Sequence, residues 1–214
     1  VAYNAAEYTM RVEKFDGTSW TQLPAPPGQW GTPEIAYDAV GGNLVLATNS
    51  IHHETTAQIM VIQKFDGTSW SSYGTSSTLS PGGVGGFGAT NRFGLRLDSN
   101  GYPVLAYGAS VPQPISGWPH PFAVAVIRWN GAAWVGYGNS ENGVTVAPGG
   151  TLAVHLALDA NEFPIISWTV LVGFIGWTPN GPYVTSVSSG PSCGVARWDG
   201  IGWAVLQGPW ENHP

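Results

Sequence analysis

The chain is predicted to be an all-β protein, a β-propeller of four-stranded antiparallel blades, and three observations predict it. Only 9% of its 214 residues are charged while 12% are aromatic, a composition of short packed strands rather than of helices or disorder. It holds 30 Gly and 17 Pro, and period-2 alternation recurs where helical periodicity is never sustained. Above all, the sequence repeats itself, at a period that suits propeller blades.

One repeated unit reads KFDGTSW at Lys14–Trp20 and again, identically, at Lys64–Trp70. It returns as RWNGAAW at Arg128–Trp134 and as RWDGIGW at Arg197–Trp203. Asp-Gly or Asn-Gly between strand residues signals a hairpin closed by a two-residue type I′ turn. Such a turn sets the aromatic pairs Phe15/Trp20, Phe65/Trp70, Trp129/Trp134 and Trp198/Trp203 diagonally on one face. The opposite face carries Ile62, Val126 and Val195 with Tyr73, Tyr137 and Leu206. Cys193 falls in the column of Met10, Met60 and Val124 and is expected in the core. Both faces are apolar, as a sheet wedged between two neighbouring sheets requires.

A second unit lies between these hairpins: IAYDAVGGNLVLAT from Ile35, LRLDSNGYPVLAYG from Leu95 and LALDANEFPIISWT from Leu156. Each is a strand, a turn opened by Asp38, Asp98 or Asp159, and a second strand; the Asp side chain can close an Asx-turn on its own backbone. Pro103 and Pro164 open the second strand, where a missing N–H is tolerated. Together the units make blades of strands A to D over residues 33–75, 92–138 and 152–207. Residues 1–23 supply B, C and D of a further blade, since Val1-Ala2-Tyr3 matches Leu105-Ala106-Tyr107. Corresponding hairpins lie 50, 64 and 69 residues apart, a blade length rather than a solenoid coil. The expectation is one propeller domain over 1–214, its open edge completed by neighbouring repeats or by another chain in a homo-oligomer.

The alternation of these two units resembles the repeats of bacterial extracellular β-propeller proteins, and is similar in outline to lectin-like and sialidase-like propellers. The resemblance spans nearly the whole chain, but its motifs are structural; the adjacent Asp and Gly differ from an Asp-box, which has one residue between them. It implies a secreted or cell-surface protein and carries no activity over.

Composition narrows the function. A net charge of −6 argues against nucleic acid, which needs a basic face. No apolar run is long enough for a membrane-spanning helix, and the single Cys193 allows no disulfide framework. No zinc or calcium spacing is present, and neither a metal nor another cofactor is expected. All six Asp are turn residues, leaving none to orient a histidine in a Ser-His-Asp triad and no evident carboxylate pair for glycoside hydrolysis. No catalytic residue is assigned.

The length variation falls at the end carrying the B–C and D–A loops, and loops on a rigid scaffold are where binding usually resides. These loops hold Trp30, Trp118, His120, Trp177 and Tyr183 as platforms for sugar faces. Residues 169–192 are read as one such loop. Arg92 and Arg96 stand in or beside an innermost strand, where Glu34 and His155 share the corresponding face, an arrangement that would line a polar central channel. The function expected is non-enzymatic binding or adhesion to glycans or cell-surface polymers. The alternatives are a structural subunit of an extracellular assembly and a glycoside hydrolase-like propeller.

Overall fold

The computed structural model describes residues 2–4, 10–27, 32–51, 58–74, 93–110, 122–138, 150–171, 173–178, 181–187 and 192–207. Their regular structure is all β. The first sheet runs β1 (Ala2–Asn4), β2 (Met10–Phe15), β3 (Trp20–Gln22). The second is β4 (Thr32–Tyr37), β5 (Leu44–Ile51), β6 (Gln58–Phe65), β7 (Trp70–Ser72). The third is β8 (Gly94–Leu97), β9 (Pro103–Ser110), β10 (Phe122–Trp129), β11 (Trp134–Gly136). The fourth joins β12 (Gly150–Leu158), β13 (Pro164–Leu171), β16 (Ser192–Trp198) and β17 (Trp203–Gln207). All pairings are antiparallel and every sheet is a meander. This is the expected set of three four-stranded blades preceded by three strands. No helix among the described residues is long and apolar enough to cross a membrane.

Two local expectations change. The Asp-Gly hairpins are not two-residue turns: Phe15 pairs with Trp20, Phe65 with Trp70, Trp129 with Trp134 and Trp198 with Trp203, which leaves four residues in each loop. The reason is the Asp or Asn side chain. Asp66 Oδ1 accepts from the amides of Thr68 and Ser69, both at 2.8 Å, and Asn130 Oδ1 does the same for Ala132 and Ala133. The carboxylate replaces a backbone acceptor, so only the Gly needs a positive φ (98° at Gly67). The aromatic pair is therefore directly opposed rather than diagonal. The second change concerns 169–192: β13 runs on to Leu171, and residues read as loop form a hairpin of β14 (Gly173–Thr178) and β15 (Gly181–Val187). The Asx-turns at Asp38, Asp98 and Asp159 form as expected, each Oδ1 capping two amides.

The sheets pack in series, with β4 beside β1, β8 beside β4 and β12 beside β8. Between the first and second sheets lie Met10, Val12, Leu23, Leu46 and Trp70. Val45, Ala47, Met60 and Ile62 pack on Leu105, Tyr107, Ile127 and Trp134 between the second and third. Val104, Val124 and Val126 meet Val154, Ile166, Trp168 and Trp198 between the third and fourth. Alternate residues of the second and third sheets thus serve opposite junctions, which is why both faces had to be apolar. Close approach is set locally: a Cβ on Gly194 would stand 2.1 Å from Trp168 Cζ2.

Each junction also has a hydrogen bond donated by a tryptophan ring. Trp70 Nε1 donates to Pro24 O at 2.7 Å, Trp134 Nε1 to Tyr73 O at 2.7 Å, and Trp203 Nε1 to Tyr137 O at 3.2 Å. The donating tryptophan belongs to the later sheet in all three. Cys193, expected in the core, is exposed. Its column is covered by the following sheet at Met10, Met60 and Val124, and no described sheet follows the fourth.

Candidate functional site

The structure opens two equivalent clefts, both at the end of the blades that carries the tight turns. The first, ≈ 440 Å³, lies between the second and third sheets. Asp38, Lys64 and Tyr73 line it from the earlier sheet, and Asn100 and Tyr102 from the A–B turn of the later one. The second, ≈ 310 Å³, lies between the third and fourth, with Asp98, Arg128 and Tyr137 facing Asn161, Glu162 and Phe163. Position by position the two are the same site: a turn aspartate, a cation, a tyrosine, then an asparagine and an aromatic.

Repetition explains how each group arrives. Lys64 and Arg128 begin the hairpin motif near the ends of β6 and β10. Tyr73 and Tyr137 follow β7 and β11, where their amides bond Ile62 O and Val126 O. Tyr102 and Phe163 are held over the hairpin glycines of their own blades, Gly131 and Gly200, at 3.1 and 3.2 Å from a notional Cβ. Tyr73 packs against Trp129 and Trp134, with centroids 5.8 and 6.5 Å away, and Tyr137 against Trp198 at 6.1 Å. Burial pushes the Tyr73 hydroxyl up to about 12, with Asp38 adding to the shift. It raises Tyr137 as well, against the opposing charge of Arg128. Both phenols are neutral hydrogen-bonding groups at physiological pH.

The second cleft differs in ways that bear on ligand choice. The Arg128 guanidinium carbon stands 5.4 Å from the Tyr137 ring centroid, a cation–π arrangement that fixes a planar donor fork at the cleft wall. Glu162 occupies the turn position held by Gly101 in the third sheet and shares its left-handed backbone, at φ 63° against 74°. A non-glycine residue there is uncommon and marks a functional or strained position. Its Oε1 accepts from the Ser99 amide of the neighbouring blade. In the first cleft no side chain fits at that point, because a Cβ on Gly101 would stand 2.6 Å from Asp38 Oδ2.

These clefts lie opposite the end to which the loops directed attention. Among the residues singled out there, Trp30, Trp118, His120 and Arg92 lie outside the described residues. Trp177 and Tyr183 are neighbours on the β14–β15 hairpin, where Trp177 pairs with Pro182 and Tyr183 with Gly176, and their side chains lie outside the described part. Arg96 is exposed on β8 and donates to Leu95 O at 2.6 Å. It does share an environment with Glu34 of β4 and His155 of β12. Burial raises the Glu34 carboxyl, and the charges of Arg96 and His155 pull it back. The three form no salt bridge. The fourth sheet's counterpart of Arg128, Arg197, instead bridges to Asp159 at 2.6 Å.

Reasoning from sequence missed Lys64, Tyr73, Arg128, Tyr137 and Glu162 as a set. One signal was available: in the aligned turns DSNGYP and DANEFP, Glu162 stands where Gly101 does.

The chain matches no known protein family and no curated protein. Among solved structures, a fucose lectin from Kordia zhangzhouensis in complex with methyl-fucoside aligns with 81% of this chain and 96% of its own, at TM-score 0.42 and 14% identity.

Proposed function

We propose that the protein is a non-enzymatic carbohydrate-binding propeller of the cell exterior that takes a sugar in each inter-blade cleft. The observation that carries this reading is the repeated pairing of a cation and a tyrosine on one blade with an asparagine and an aromatic on the next. A sugar offers hydroxyls that need donors and acceptors side by side, together with apolar C–H faces that pack on rings. Lys64 or Arg128 donates, Asn100 or Asn161 does both, and Tyr102 or Phe163 supplies the ring. Catalysis is disfavoured by how the carboxylates are spent: Asp98 Oδ1 caps the amides of Asn100 and Tyr102, and Glu162 caps Ser99. A glycosidase needs two carboxyls free to face one bond.

Affinity per cleft should be weak, with Kd of about 0.1–1 mM, or roughly 4–5.5 kcal/mol, and repetition supplies avidity. The test is a glycan array followed by titration calorimetry on wild type, Arg128→Ala, Lys64→Ala and Trp118→Ala. Loss of one class of site with Arg128→Ala, and of another with Lys64→Ala, at unchanged melting temperature, is the expected result. Binding that survives both but disappears with Trp118→Ala would move the site to the loop end. No binding of any glycan by wild type would end the reading and favour a structural subunit.

A further inference from the structure

We infer that Glu162, which lines the second cleft, positions a wall of the first cleft, and that occupation of the second cleft therefore weakens binding in the first. This rests on the reading of both clefts as sugar sites and adds a coupling between them.

The coupling runs through one turn. Residues 98–102 join β8 to β9 and serve both clefts: Asn100 and Tyr102 line the first, and Asp98 lines the second. Within the turn, Asp98 Oδ1 accepts from the Asn100 and Tyr102 amides, and the Asp98 carbonyl accepts from the Gly101 amide. The Ser99 amide is left over, and Glu162 Oε1 of the neighbouring blade accepts from it. Ser99 also lines the first cleft. It immediately precedes Asn100, the side chain there that both donates and accepts. A single carboxylate thus lines one cleft and holds the backbone of the other.

The bond is an addition to the repeat, not a requirement of it. The aspartate-opened turns of the second and fourth sheets also close on their own Oδ1, and the amides that correspond to Ser99, those of Ala39 and Ala160, bond to nothing among the described residues. Ser99 is exposed, so water can satisfy its amide, and what Glu162 contributes is placement rather than rescue of a buried donor. It does so from a left-handed backbone, φ 63°, where the third sheet uses glycine. A sugar hydroxyl in the second cleft that donates to this carboxylate competes with Ser99, whether it takes Oε1 outright or draws charge to Oε2. The Ser99–Asn100 segment then loses its fixed position, and a ligand in the first cleft must order it again, which weakens binding. Linkage makes the effect reciprocal: a sugar that holds Asn100 keeps Ser99 on Glu162 and makes the carboxylate less available to the second cleft.

The experiment measures exchange first and binding second, on the full chain. Water–amide exchange at Ser99, read by NMR at pH 7 without ligand, should be about fivefold or more faster in Glu162→Gly than in wild type. Glu162→Gln keeps an acceptor oxygen and should stay within about twofold of wild type. Glycine adopts this backbone freely, and Glu162→Asn, which tolerates it but ends one methylene short, should match Glu162→Gly. Binding is then titrated with whichever of methyl glucoside, galactoside, mannoside and fucoside binds best. First-cleft affinity, isolated with Arg128→Ala, should fall about fivefold when Glu162→Gly or Glu162→Asn is added, and hold when Glu162→Gln is added. In wild type the second sugar should bind about fivefold more weakly than Arg128→Ala and Lys64→Ala, each with one cleft, predict for independent sites. Failure of wild type to bind any of these glycosides overturns the sugar reading, and the coupling with it, whatever Ser99 does. Binding by wild type with Ser99 exchange or first-cleft affinity indifferent to Glu162, or with two independent clefts, overturns the coupling and leaves the sugar reading standing.

Discussion

At the scale of single residues, the hairpin aspartates do the same job four times with three carboxylates and one amide. Backbone amides bonded to Oδ1 hold Asp16, Asp66 and Asp199 below the ordinary carboxylate range, and Asp38 and Asp159 are lowered for similar reasons. A carboxylate depressed in the folded state contributes stability that is complete above its unfolded value of 3.8 and is lost as pH falls through the folded value. Glu34 has the opposite sign: its raised value favours the fold below 4.5 and that contribution disappears as pH rises. Acid destabilisation below about pH 4 should therefore be governed by the turns. Replacing Asp16, Asp66 and Asp199 together by Asn, the residue already working at position 130, should leave the urea midpoint at pH 7 nearly unchanged and flatten its decline in acid. An acid limb as steep as that of wild type would show that the turn carboxylates are not its source.

At the scale of elements, most of the architecture was legible because repetition aligned the strands against one another. Leu95 and Leu156 could be matched column by column, and alternation then assigned each residue to a junction. What stayed hidden depended on neighbours. The Asp-Gly pair reads as a two-residue turn until the side chain is counted as an acceptor, which lengthens the loop and moves Trp20 directly opposite Phe15. The β14–β15 hairpin carried its own turn signal, Pro179-Asn180-Gly181 between apolar runs, but Gly173 and Gly176 within the first run masked the strand. The clefts were hidden for a different reason: Arg128 and Glu162 line one cleft only because two blades are adjacent, and polar groups in short turns look structural when read singly. The junctions themselves can be tested through their tryptophans. Trp134→Phe keeps most of the buried ring but strands the Tyr73 carbonyl, and should cost about 1–3 kcal/mol in denaturant unfolding. A loss below about 0.5 kcal/mol, the range of neutral surface changes, would mean that the bond contributes nothing.

At the scale of the whole molecule, each core cluster among the described residues lies between two consecutive sheets, so stability is a sum over sheets and junctions rather than the property of one core. The three tryptophan bonds all point backwards along the chain, from a donor in the newer sheet to a carbonyl in the older one. A consequence concerns how the protein is made. As the chain leaves the ribosome, each of these three tryptophans finds its acceptor already synthesised, and the face it must cover is already in place. Folding should then advance in steps from the N-terminus, as domains commonly do during synthesis. Nascent chains carrying an arrest peptide at increasing lengths should show separate folding forces as residues up to 74, then 138, then 207 clear the exit tunnel. A single event, only after the last strand has emerged, would mean that the sheets wait for one another despite the direction of their bonds.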